Sequence, residues 1–100
     1  MMRMVSIPLE SFTVTGMEVQ LPKTTLVVIA TDKGYIMCGA LDVALLNERL
    51  RDRGIVAARA IGVKTFEQLL AAPLESVTYE AQQRGIVPGM KGADALLRMM

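Results

Sequence analysis

Cys38 is the one thiol that this sequence offers for chemistry. The chain has 100 residues, a single cysteine and no histidine. Without histidine, a Ser-His-Asp triad, a Cys-His pair and an imidazole metal ligand are all excluded. A single cysteine also excludes a four-ligand cysteine zinc site, an iron–sulfur cluster and an internal disulfide. Because the carboxylates have neither Asp-x-Asp nor EF-hand spacing, the sequence predicts no dedicated metal site. No cofactor is expected either.

The position of Cys38 gives it three possible roles. It is predicted to end a strand, with Gly39 and a helix starting near Asp42 behind it. Ligands of βαβ units bind at the carboxyl ends of strands, and a helix N-terminus favours a thiolate. Cys38 can therefore be a nucleophilic or carrier thiolate of an enzyme, line a ligand site, or be a buried structural thiol. The buried thiol is favoured because the chain has no histidine to act as base and no second cysteine, and because Ala44 stands where a C-x₅-R phosphatase loop has arginine.

The run Gly62-Val63-Lys64-Thr65 is the second candidate, because it also joins a strand to a helix. If the two preceding strands are parallel, both loops lie side by side, and their free N–H groups together with Lys64 could hold a carboxylate or phosphate. Val63 separates Gly62 from Lys64, so the run is not a P-loop. The alternative is a tight turn with Thr65 as N-cap and a solvated lysine. The predicted ligand-binding residues are Cys38, Gly39, Asp42, Gly62, Lys64 and Thr65.

Arg59 stands inside an otherwise apolar strand pattern, where an unpaired arginine is seldom buried. It is expected to face solvent, to pair with Asp42 or Glu75, or to reach an anionic ligand.

The first forty residues have the period-2 alternation of antiparallel strands. The apolar positions change phase across Gly16, between Val14 and Met17. A strand cannot change face without an extra residue, so the pattern predicts a bulge or corner at Gly16. Residues 26–30 are continuously apolar and are predicted to form a central strand buried on both faces, with residues 35–38 as its hairpin partner.

The second half changes to helical period. A helix is predicted from Val43 to a left-handed Gly54, and residues 55–61 are predicted to form a strand parallel to residues 35–39. Three short helices follow, the first capped by Thr65, the second over residues 76–84 and the third over residues 93–97. The predicted fold class is α+β: N-terminal antiparallel strands, then a βαβ unit and three short C-terminal helices, in one domain of residues 1–100.

Several runs closely resemble the YunC-like family of bacterial and archaeal proteins, and together they cover nearly the whole chain. These runs are residues 21–26, 34–42, 59–65 and 72–78, followed by Gly85, Ile86, Gly89, Met90 and Gly92. The resemblance implies a domain of unknown function whose β-rich N-terminal part, residues 1–40, mediates tetramerisation, with residues 41–100 as the α/β and helical part. It implies no catalytic residue.

The composition and the charge pattern limit the classes of partner that this chain can have. Eleven basic and ten acidic residues give a net charge of +1, and Arg49, Arg51 and Arg53 alternate with Glu48 and Asp52, so no nucleic-acid partner is expected. The chain is 52% hydrophobic with a mean hydropathy of +0.39. No charge-free stretch exceeds eight residues where about 20 are needed to span a membrane, and the first residues lack a signal-peptide apolar segment. A chain of 100 residues has too small an interior for so many apolar side chains, so part of them must lie on the surface. Exposed apolar patches usually mark an interface, and the sequence therefore predicts a cytoplasmic homo-oligomer.

Overall fold

A six-stranded sheet organises the chain, with its strands in the order β1-β2-β3-β4-β5-β6. The computed structural model describes residues 1–39, 43–48 and 51–100. The strands are β1 (Met2–Leu9), β2 (Phe12–Leu21), β3 (Thr24–Ala30), β4 (Gly34–Met37), β5 (Val56–Arg59) and β6 (Ser76–Val77). The helices are α1 (Val43–Glu48), a 3₁₀ turn (Arg51–Arg53), α2 (Phe66–Ala71), α3 (Tyr79–Gln83) and α4 (Gly92–Arg98).

The topology confirms the predicted α+β class. Strands β1 to β4 pair antiparallel with their neighbours, and β5 then pairs parallel with β4, with α1 in the crossover. This is the predicted βαβ unit. Helices α2, α3 and α4 are the three short C-terminal helices. No helix among the described residues is long and apolar enough to cross a membrane.

The predicted bulge at Gly16 is wrong. Strand β2 runs through Gly16 in unbroken register with β1 and with β3, and Val5 and Ile29 lie opposite that glycine. The apolar phase changes because β2 has two apolar faces, one carrying Val14 and Gly16 and the other carrying Met17 and Val19. Glycine leaves space there for the core side chains, since a Cβ would lie 2.7 Å from Cδ1 of Ile7 and 2.9 Å from Cε1 of Phe66, and these side-chain ends would have to shift.

Two predicted helices have different bounds. The helix expected over residues 76–84 begins only at Tyr79, because Ser76–Val77 form β6 and Thr78 is the N-cap that accepts a hydrogen bond from the amide of Ala81. The helix expected from Val43 to Gly54 is α1 over Val43–Glu48 and a 3₁₀ turn before Gly54, and residues 49–50 between them lie outside the described residues. Gly54 has the predicted positive φ, 61°.

One face of the sheet carries the main core, and helices α2 and α4 pack on it. The packing is close: a Cβ on Gly92 of α4 would overlap the carbonyl oxygen of Leu69 in α2 and lie 2.9 Å from Cδ1 of Ile36. We call this side the covered face. Its largest fully buried side chains include Val14, Val27, Ile29, Ile36, Leu69, Ile86, Leu96 and Met99.

Strand β3 is central in the sheet but is not buried on both faces, contrary to the sequence prediction. Val27 and Ile29 point to the covered face and are fully buried, whereas Leu26 and Val28 point the other way and stay partly exposed. On that second side, α1 packs against β5 and makes a small core with Ala57.

Candidate functional site

The loops that follow β4 and β5 lie side by side, which is what the parallel pairing of these strands requires. The amide of Ala60 donates to the carbonyl of Met37 over 3.0 Å. A Cβ placed on Gly39 would lie 3.7 Å from Cγ2 of Ile61, so the two loops are in contact. Asp42, the other residue predicted for the first loop, lies outside the described residues.

Cys38 comes directly after β4 and points to the covered face. Its amide donates to the carbonyl of Val27 over 3.1 Å, which continues the pairing of β3 with β4. Only 5% of the residue is exposed, and it belongs to the same core cluster as Val63 and Phe66. The thiol therefore packs among apolar side chains of the core, whereas the next residue, Gly39, is exposed.

In the second loop, the hydroxyl of Thr65 and the amide of Lys64 form hydrogen bonds at the start of α2. Thr65 is the predicted N-cap, and its hydroxyl oxygen accepts from the amide of Gln68 over 3.1 Å. The side-chain oxygen of Gln68 in turn accepts from the amide of Lys64 over 2.8 Å. Gly62 has a φ of 74°, and a Cβ there would meet nothing within 4 Å. The side chain of Lys64 is exposed, so binding of an anion by this loop stays a prediction.

Arg59 pairs with Glu75, one of the alternatives that the sequence left open. Its Nε lies 3.2 Å from Oε1 of Glu75, and the hydroxyl of Ser76 donates to the same oxygen over 2.7 Å. Both charged side chains keep substantial exposure, so the pair contributes no more than about 1 kcal/mol. A cleft of about 370 Å³ adjoins the pair and is lined by Val43, Ala44, Asn47, Arg59, Glu75, Ser76 and Val77.

Among the described residues, no group of three or more cysteine, aspartate and glutamate side chains is placed to hold a metal ion.

The second face of β1–β3, opposite the covered face, is apolar and partly exposed. Alternate residues of a strand point to one side, and paired residues of neighbouring strands share that side. A row of apolar side chains, Met4, Met17 and Val28, therefore crosses the three strands and continues to Met37 on β4. We call the β1–β3 part of this side the uncovered face. It comprises Met2, Met4, Ser6, Pro8, Thr13, Thr15, Met17, Val19, Leu21, Thr24, Leu26, Val28 and Ala30.

No side chain of the uncovered face is charged. The charged residues within these described strands, Arg3 and Glu18, point to the other side, where Arg3 Nε lies 3.4 Å from Glu18 Oε1 and the guanidinium lies over Phe66. Met2 and Met4 are 72% and 65% exposed, and Leu21 is also exposed. The sequence contained a signal of this face in the phase change at Gly16, which single-strand reasoning assigned to a bulge.

Comparison with known proteins identifies similar chains. The model of a family described as a domain of unknown function, DUF1805, matches residues 37–99. The chain is 59% identical over 100 residues to the uncharacterized protein YunC of Bacillus subtilis (strain 168), covering all of this chain and 99% of that protein. The crystal structure of a protein of unknown function from Thermoplasma acidophilum has the same fold, with 31% identity and a TM-score of 0.89. That alignment covers 100% of this chain and 94% of the other.

Proposed function

Because the chain belongs to the DUF1805 family, a domain of unknown function, we propose its function from its own surface: it is a cytoplasmic protein that assembles with copies of itself through the uncovered face. The observation that carries the proposal is the uncharged, methionine-bearing side of β1–β3. Burying apolar surface contributes about 25 cal/mol per Å², so leaving this face in water forgoes a large stabilisation. Contiguous apolar patches of this kind are typical of interaction sites.

A second copy of the chain is the partner that fits this face best. A two-fold contact brings the same patch of each copy together, so any charge on the patch would meet itself or lose its water. The uncharged face has no such cost. Its methionines, Met2, Met4 and Met17, are unbranched and can adapt to the same side chains on the facing copy.

Cytoplasmic location is supported by the state of the cysteine. Cys38 is free and buried. A free thiol suits a compartment in which glutathione and thioredoxin keep cysteines reduced.

Binding of a small anion at the two adjacent loops is a second, separate proposal. It is supported by the contact between the loops and by the open surface at Gly39 and Gly62, next to the exposed Lys64. Titration with inorganic phosphate, followed by NMR of the Gly39 and Gly62 amides, is the test. We expect both amide signals to shift in the wild type and to shift at least tenfold less in Lys64→Gln. Unmoved wild-type signals at millimolar phosphate contradict the proposal.

A charge placed in the uncovered face tests the assembly. We expect Met17→Lys to lower the mass measured by analytical ultracentrifugation, because a dimer would bury two unpaired ammonium groups. Gln20→Lys is the matched control, since Gln20 is exposed on the same strand but points to the opposite side. Both variants should keep the wild-type circular dichroism spectrum. If Met17→Lys retains the wild-type mass, the uncovered face is not the contact.

A further inference from the structure

The cleft beside Arg59 is separate from the uncovered face, because it is built by α1, β5 and β6. Helix α1 packs against β5, and β6 pairs with β5 on the other side, so Arg59 at the end of β5 lies where the three elements meet. The cleft has a volume of about 370 Å³, at the lower end of the range of about 300 to 1,000 Å³ for small-molecule sites. Its size therefore suits a small metabolite.

One positive and one negative side chain line this cleft. Arg59 and Glu75 contact each other at 3.2 Å, and their side chains keep 30% and 43% of their exposure. Arg59 Nε itself is shielded from solvent. A guanidinium has five N–H donors in one plane, so Arg59 can hold Glu75 through Nε and a ligand oxygen through its outer nitrogens. Because the two charges balance, a ligand without net charge leaves neither of them uncompensated.

The carboxylate of Glu75 is held in a defined orientation. The hydroxyl of Ser76 donates to Oε1 over 2.7 Å, and Arg59 Nε faces the same oxygen. The backbone amide of Glu75 donates to the carbonyl of Arg59 over 2.7 Å, which ties the two residues together. Since Oε1 has two partners, Oε2 is the oxygen through which Glu75 can accept a hydrogen bond from a ligand.

Asn47 brings a further donor from α1. Its Oδ1 accepts from the backbone amide of Tyr79 over 2.9 Å, so a backbone group determines which way the side-chain amide is turned. The other end of that amide is Nδ2, which has two N–H donors and no acceptor. The cleft therefore combines N–H donors from Arg59 and Asn47 with an acceptor from Glu75.

We propose that this cleft binds a free α-amino acid with an aliphatic side chain. Such a molecule carries its ammonium and its carboxylate on the same carbon, so its two charges are as close together as those of Arg59 and Glu75. The carboxylate accepts from Arg59 and Asn47, and the ammonium donates to Glu75. Val43 and Ala44 line the cleft next to these groups and favour an aliphatic side chain.

Ligands with a single charge fit this cleft less well. An organic anion brings its carboxylate close to Glu75, and an amine brings its ammonium close to Arg59, so each meets a like charge. The pair therefore selects for a ligand with both groups by repulsion as well as by attraction. This preference differs from that of the two loops after β4 and β5, for which we propose a small anion.

Titration of the full chain with L-leucine tests the proposal, followed by NMR of the Ser76 amide and the Asn47 side-chain amide. N-acetyl-L-leucine lacks the ammonium and L-leucinamide lacks the carboxylate, so both are matched probes. We expect leucine to bind with a millimolar dissociation constant and each analogue to bind at least tenfold more weakly. Unmoved signals at tens of millimolar leucine, or equal binding of the three compounds, overturn the proposal.

Removing one charge should reverse the preference, which a merely structural role would not do. Glu75→Gln should bind leucine at least tenfold more weakly but N-acetyl-L-leucine more tightly than the wild type does, because the like charge is gone. Arg59→Gln should instead favour L-leucinamide. Glu67→Gln is the matched control, since Glu67 is an exposed glutamate on α2, and it should keep the wild-type preference. Wild-type preference in Glu75→Gln overturns the assignment.

The same titration is independent of self-association. Met17→Lys changes a residue of β2 on the uncovered face, whereas the cleft is lined by α1, β5, β6 and Glu75. We therefore expect Met17→Lys to bind leucine with the wild-type affinity, whatever its mass in solution. Loss of leucine binding in that variant, with an unchanged circular dichroism spectrum, overturns a site contained within one chain.

Discussion

The two faces of the N-terminal sheet are both apolar, yet they are built differently. On the covered face, branched and glycine residues such as Ile29 and Gly16 fit closely beneath α2. On the uncovered face, threonines and unbranched methionines stand in the same strands with no helix of the described residues packed over β1 and β2. The difference shows that apolar alternation identifies an apolar face without telling whether a helix of the same chain covers it.

Placing one charge on each face, at neighbouring residues, tests most strongly whether the two faces have different roles. Val27 and Val28 are adjacent in β3 and point to opposite faces. We expect Val27→Asp to lower the free energy of unfolding by about 3 to 5 kcal/mol, because the carboxylate would be buried without a partner. Val28→Asp should stay folded and lose self-association. Urea unfolding and light scattering measure the two effects, and a Val28→Asp chain that unfolds like Val27→Asp contradicts the distinction.

Steric fit on the covered face predicts the next largest effect. Gly92→Ala should lower the free energy of unfolding by about 1 to 3 kcal/mol, since the added methyl overlaps the Leu69 carbonyl and forces α4 away from α2.

Gly39→Ala is the control, because its methyl would approach only Ile61, at 3.7 Å. We expect Gly39→Ala to change the free energy of unfolding by less than about 0.5 kcal/mol. Equal losses in the two variants would mean that the covered face is not closely packed at Gly92.

The helix that closes the covered face depends on its cap. Thr65→Ala should lower the free energy of unfolding by about 1 kcal/mol, because the amide of Gln68 loses its partner at the start of α2. Thr65→Ser keeps the hydroxyl and should lower the free energy of unfolding much less. Denaturant unfolding of the pair checks this, and an unchanged midpoint for Thr65→Ala contradicts the role of the cap.

The last prediction concerns the reactivity of Cys38 and requires no substitution on the covered face. Because Cys38 is 5% exposed on the covered face, iodoacetamide should label it at least 100-fold more slowly in native protein than in urea. A cysteine placed at the exposed turn residue Ser11 is the control and should react at the same rate in both. Rapid native labelling of Cys38 would instead favour the enzyme hypothesis, in which this thiol is a nucleophile or carrier.

Much of the fold followed from local patterns in the sequence. The change from period 2 to period 3.6 near residue 43 predicted the βαβ unit, and the Thr65 hydroxyl three residues before Gln68 predicted the start of α2. These features depend on neighbours in the chain. Strand β6 could not be predicted in this way, because Ser76 and Val77 become a strand only through pairing with Arg59 and Ala58.

The same distinction between local patterns and long-range contacts applies to the candidate sites. Proximity of the two loops followed from strand direction, whereas the pairing of Arg59 with Glu75 was one of several alternatives that the sequence left open. The side to which Cys38 points, and the continuity of β2 through Gly16, depend on what packs above the sheet. Such long-range contacts leave little trace in a single sequence.

The mass of the wild-type chain in solution tests the central claim most directly. Light scattering after size exclusion, repeated over a dilution series from about 100 to 1 μM, measures it without any substitution. If copies bury the uncovered face, the mass at the upper concentrations should be at least twice the 10.9 kDa of one chain. A constant mass of 10.9 kDa across the whole series would contradict the account.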